Sequence, residues 1–196
     1  EAEEALDELR AAVEAAAKEA ADPTSVLDDS SDAAHDVIRA VEALVRDPET
    51  RVSWLLLHRV CAAGACGPDA QAAAALIETG AASFPATNAS GLDVRGRAMI
   101  RLALVHRTLP RVVEAAARLP RTARPTPDAL LYAVPLTAVV EALQPLTSVT
   151  FSLPLDDFWS EVRTMDLADS VREEHFIPVE RDRVHILRAV VSDAVV

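Results

Sequence analysis

The feature that most constrains this chain is its side-chain vocabulary. Alanine, valine and leucine supply most of an apolar fraction of 51%, while only five residues are glycine. Alanine is the best helix former, because it loses no side-chain entropy and meets no crowding from the preceding turn. Tight hairpins need residues at positive φ, which glycine adopts with least strain. Alanine-rich, glycine-poor text therefore predicts an all-α fold. The 196 residues suffice for one domain whose core needs no disulfide or metal staple. The expectation is a single compact bundle of eight or nine helices over residues 1–196, with at most one short strand pair near 148–153.

Residues 2–21 form the clearest helix. Ala2, Leu6, Leu9, Val13, Ala16 and Ala20 recur at alternating spacings of four and three, which makes a narrow heptad seam. Such a seam either packs on its own domain or docks another chain. Leu6, Leu9 and Val13 are its candidate contacts. Asp22-Pro23 stops the helix, and the polar run "DPTSVLDDSSD" makes 22–31 read as a linker. Ser31 or Asp32 caps the next helix, where Val37, Ile38, Val41, Leu44 and Val45 form a wide apolar stripe. Asp47-Pro48 reads as a cap and first-turn proline, opening a central apolar helix over 48–64. Further helices are expected at roughly 68–79, 92–107, 110–119, 127–143, 156–174 and 180–194. Pro135 is expected to kink the helix at 127–143. The run "SVTFSLP" is the one convincing strand candidate, and the sequence offers it no partner. "LLLHRV" at 55–60 and "ALVHRT" at 103–108 hint at a helical repeat, but their flanks do not match and no third copy exists.

Charge excludes some partners. The formal net charge is −12, so the surface as a whole repels phosphate backbones and anionic lipid. Lys18 is the only lysine, and arginine in its place alongside abundant Ala, Pro and Val suggests a GC-rich genome. No apolar run reaches the roughly 18 residues of a membrane-spanning helix, and no charged-then-apolar leader is visible. The expected location is intracellular, in the cytoplasm. The chain opens at Glu1 without a methionine, which reads as a fragment or processed product.

The acidic balance is uneven. Residues 1–36 hold twelve acids against Arg10 and Lys18. Between 95 and 124, by contrast, stand Arg95, Arg97, Arg101, Arg107, Arg111, Arg118, Arg121 and Arg124, with Glu114 the only acid. Arg97 and Arg101 lie one turn apart, and Arg107 and Arg111 repeat the spacing. This band has three competing uses: it can face acidic segments of its own domain, meet an acidic helix of a neighbour, or grip phosphate bidentately.

Chemistry has little to anchor it. Trp54–Cys66, "WLLLHRVCAAGAC", places His58, Cys61 and Cys66 in an H-x2-C-x4-C array with both cysteines of the chain. A structural zinc site wants four close ligands, and no second knuckle exists. In a reducing compartment the two thiols are expected to pack as small apolar residues, with a small disulfide between them as the geometrically possible alternative. Asp32 with His35, and Asp182 with His185, are spaced like half of a di-metal helical site, but aspartate replaces the usual glutamate and is shorter. They are minor candidates, and no cofactor is expected. There is no nucleophile elbow and no glycine-rich phosphate loop.

The sequence thus reads as a protein–protein interaction or assembly domain of a larger protein, not an enzyme. Its contacts would be the Leu6/Leu9/Val13 seam and the band at Arg97, Arg101, Arg107 and Arg111, and its partner another protein or a second copy. Two other classes stand beside this reading: a helical enzyme or ligand-binding domain with a metal-assisted pocket, and nucleic-acid or phosphate binding by the arginines.

Overall fold

A computed structural model describes residues 1–22, 24–48, 53–81 and 89–155. Their elements, in chain order, are α1 (Ala2–Glu19), β1 (Leu27–Asp28), α2 (Asp32–Val45), α3 (Trp54–Ala62), α4 (Pro68–Ala81), α5 (Ala89–Val105), α6 (Leu109–Ala117), α7 (Leu136–Leu143) and β2 (Phe151–Ser152). Short 3-10 turns occupy Arg121–Ala123, Leu130–Tyr132 and Gln144–Thr147. The fold is mostly helical, as alanine content dictates. The described residues hold seven α-helices, not eight or nine. The helices expected at 156–174 and 180–194, with Asp182 and His185, lie outside the described residues.

Two helix boundaries differ from expectation for local reasons. The central helix α3 begins at Trp54, after Ser53, and not at Pro48. The span 127–143 is not one kinked helix. Pro135 is extended, with ψ 126°, and stands as the cap before α7, so its missing N–H falls where a helix start leaves donors unpaired anyway. Elsewhere the local signals hold. Ser31, not Asp32, caps α2, its Oγ accepting from Ala34 N at 3.1 Å.

The strand candidate finds its partner inside the supposed linker. Leu27 pairs with Phe151 and Asp28 with Ser152 in a parallel two-stranded ladder. Leu27 and Phe151 are buried, while Asp28 and Ser152 point to solvent, the period-two alternation of a strand.

The helices close into a circuit. α1 packs on α2, α2 on α5, α5 on α3, α3 on α6, α6 on α7, and α7 back on α1; α4 covers α3 and α5. One apolar cluster runs through all of them. α3 is its centre, with Trp54, Leu56, Leu57 and Cys61 sealed from solvent. Where α5 crosses the start of α3, Gly96 is required: a Cβ there would lie 2.0 Å from Ser53 Oγ and 2.9 Å from Trp54 N. The end of α5 is a Schellman motif. Thr108 N–H donates to Ala103 O at 2.8 Å and Arg107 N–H to Leu104 O at 3.0 Å. The left-handed position, usually glycine, is Arg107 at φ 55°.

The apparent repeat dissolves in this frame. His58-Arg59 lies inside α3 with His58 buried, whereas His106-Arg107 forms the exposed exit of α5. The two copies of the dipeptide have unrelated surroundings.

Candidate functional site

The seam of α1 is spent inside the chain. Leu6, Leu9 and Val13 are buried and belong to the common core, where α1 meets α2 and α7. The opposite face of α1 is exposed and acidic, carrying Glu3, Glu4, Asp7, Glu8 and Glu14. Beside it runs a surface groove of about 430 Å³ between α1 and α2, floored by Ala11, Ala12, Ala15 and Ala40 and rimmed by Glu8, Asp36 and Arg39.

The arginine band divides in two. Its α5 members turn inward. Arg97 grips Glu42 of α2, Nε and Nη2 lying 3.2 and 3.1 Å from Oε2. Arg101, only 3% exposed, bonds the Asp29 carboxylate and donates to Pro154 O at 3.3 Å. It therefore ties the β1–α2 turn to the segment after β2. Arg95 is half-buried, and desolvation pushes its guanidinium down against the opposing influence of Glu78.

From Arg107 to Arg121 the arginines are exposed. Arg107 donates to Thr150 Oγ1 at 3.0 Å. Arg111 is exposed and forms no ion pair with a described residue. Arg118 makes a surface pair with Glu114 at 2.6 Å, and such pairs are weak. Arg121 is exposed as well. Arg124 is half-buried, its guanidinium 3.7 Å above the Tyr132 ring in a cation–π contact. Burial pushes the Tyr132 hydroxyl up, with Arg124 opposing. Arg111 and Arg118 are seven residues apart, two helical turns, and so project from one face of α6 and its exit.

The histidine and cysteine array does not assemble a metal centre. No group of three or more His, Cys, Asp or Glu side chains able to hold a metal occurs among the described residues. His58 instead reaches α4, its Nε2 2.9 Å from Glu78 Oε1, and its ring lies 5.0 Å from that of Trp54 at a 39° tilt. Cys61 and Cys66 are free and buried. A hydrogen bond to Cys66, then burial, push the Cys61 thiol up. Asp32 and His35 are exposed, and His35 Nε2 sits 2.9 Å from Asp29 O.

Sequence reasoning missed the partners more than the residues. Glu42, Asp29 and Glu78 carried no motif. Only the position of Glu42 within an otherwise apolar stripe of α2 marked it as a buried acid in need of a base.

The chain matches no protein-family model and no curated protein sequence. The class its fold defines is a helical domain with one apolar core, an acidic first helix and a basic exit at its sixth. Among the described residues no helix is long and apolar enough to cross a membrane.

Proposed function

We propose that this domain is a protein-interaction or assembly module whose contact face is the outward arginine set, Arg107, Arg111, Arg118 and Arg121. The observation that supports this reading most is the division of the band. Arg97 and Arg101 are engaged by acids of the same chain, while Arg111 and Arg121 are exposed. In a chain of net charge −12, a local positive face is set against the general field. It attracts an acidic protein surface and orients the encounter, contributing more to association rate and register than to affinity. The exposed acids of α1 on a second copy have the matching sign, so self-association and a separate acidic partner are both served by this face.

The test is association measured by light scattering and by retention on an acidic partner surface, at low and high salt, for the native chain and for Arg111→Glu with Arg118→Glu. Association that weakens with salt and is lost in the double variant supports the reading. A monomer at all salt concentrations that binds no acidic protein overturns it. Binding to duplex or single-stranded nucleic acid that falls steeply with salt moves the assignment to phosphate recognition.

A further inference from the structure

The α3–α4 junction holds a feature that the arginine face does not use. Cys61 stands in the last turn of α3 and Cys66 just before α4, with the exposed residues Ala62, Ala63, Gly64 and Ala65 between them. Two successive turns fold this segment back on itself. Gly64 N–H donates to Cys61 O at 3.0 Å, and Gly67 N–H to Gly64 O at 3.2 Å. Gly64 and Gly67 sit at φ 73° and 92°, where other residues are strained. The reversal carries the Cys66 sulfur back over the end of α3, 3.7 Å from Val60 O, the carbonyl next to Cys61. The two thiols are thus neighbours, one layer beneath an exposed glycine-bearing turn.

We propose that Cys61 and Cys66 form a redox-responsive dithiol, oxidised by a hydroperoxide to an intramolecular disulfide that locks the α3–α4 turn. Cys66 is the attacking sulfur, because it adjoins the exposed turn and Cys61 lies deeper in α3. The hydrogen bond from Cys61 also lowers the Cys66 thiol, which favours its thiolate.

The chemistry balances. The Cys66 thiolate attacks a peroxide oxygen and the O–O bond breaks. This yields the Cys66 sulfenic acid and hydroxide, which takes up the proton lost from the Cys66 thiol to become water. The Cys61 sulfur then attacks the sulfenic sulfur, the S–S bond forms, and the sulfenic hydroxyl leaves with the Cys61 thiol proton as a second water. Two thiols are oxidised by two electrons, and hydrogen peroxide is reduced to two waters. Access requires only local opening of the turn 62–65, not of the core. The bridge ties the entry of α4 to the last turn of α3, while the His58–Glu78 contact joins the same two helices near the other end of α4.

The experiment treats the folded full chain with graded hydrogen peroxide and measures its mass without reductant. Trypsin leaves both cysteines on one peptide, Val60 to Arg95, so an internal bridge appears as loss of about 2 Da on that peptide. The expected result is a monomer carrying this loss, reversed by dithiothreitol, with a melting temperature a few degrees above the reduced form. Cys61→Ser traps the Cys66 sulfenic acid as a dimedone adduct; Cys66→Ser gives no adduct at Cys61. Four outcomes overturn the proposal: oxygen added to either cysteine of the native chain without a bridge, bridged dimers, a bridge that forms only in urea, or no reaction at peroxide levels that oxidise the methionines. The native-chain masses decide the matter even if a serine variant does not fold.

Discussion

Glu42 and Arg97 meet across the α2–α5 contact through both carboxylate oxygens, with Glu42 only 4% exposed and Arg46 reaching Oε1 from the same helix at 3.3 Å. A carboxylate so buried is held by its bases, and the pair acts as a clasp inside an otherwise apolar stripe. Removing one partner leaves the other poorly compensated, though the partly exposed Arg97 recovers some hydration. Glu42→Ala is expected to lower unfolding free energy by about 2–3 kcal/mol. Urea denaturation checks it: the midpoint falls while the slope stays constant.

Gly96 gives the sharpest steric prediction. Gly96→Ala places a methyl carbon against Ser53 Oγ and the Trp54 backbone nitrogen. Overpacking of this kind costs about 1–3 kcal/mol. The companion variant Ser53→Gly removes the hydroxyl and its Cβ but not Trp54 N at 2.9 Å, so it rescues the loss only in part. Ser53→Ala alone is expected to be close to neutral, because the buried hydroxyl has no hydrogen-bond partner among the described residues. Thermal melts of the native chain, Gly96→Ala, Ser53→Gly and the double variant carrying both form a cycle that isolates the clash between positions 96 and 53.

Arg107 occupies a position built for glycine. Arg107→Gly relieves the left-handed strain but loses the bond to Thr150 Oγ1, for a net gain of about 0.5 kcal/mol. Arg107→Ala keeps the strain and loses the bond, so it destabilises. Opposite signs for glycine and alanine in chemical denaturation are the signature. Equal effects would show that Thr150 matters more than the turn.

Acid sensitivity has an identifiable contribution at the β1 exit. The hydroxyl of Ser30, then its backbone N–H, hold the Asp28 carboxyl below its ordinary value, at 2.6 and 2.9 Å. A carboxyl depressed in the folded chain contributes stability that is present above its unfolded pKa of about 3.9 and is lost as pH falls through the folded value. Asp22, held down by Thr24 N–H and then the Thr24 hydroxyl, behaves in the same sense. Both groups are exposed, so the effect is small. Asp28→Asn is expected to give a shallower loss of the urea midpoint between about pH 5 and pH 2, with little change at pH 7.

Helices were legible where the signal was local: the stripe of α2, its serine cap and the apolar wall of α3 all lie within a few turns of each other. The Asp47-Pro48 start misled because a cap and proline are consistent with a helix without requiring one, and α3 itself begins at Trp54. Pro135 misled because periodicity on both sides of it suggested one helix, while its ring favoured a break. Leu27 was hidden because one apolar pair, Val26-Leu27, in polar text carries no period; only its placement beside Phe151 makes it a strand. The arginine band was visible as composition, but its division was not. Which guanidinium turns inward depends on Glu42 and Asp29, acids that stand 55 and 72 residues from their partners.

The Leu27–Phe151 pairing also orders events during synthesis. A ribosome that has released the chain as far as Leu143 has issued the helices α1 to α7, yet Leu27 still lacks Phe151, its partner in the ladder. The nascent domain therefore waits without the β1–β2 ladder and without Leu146, Val149 and Phe151 in its core, and a holdase or a premature stop acting in that interval meets an unclosed form.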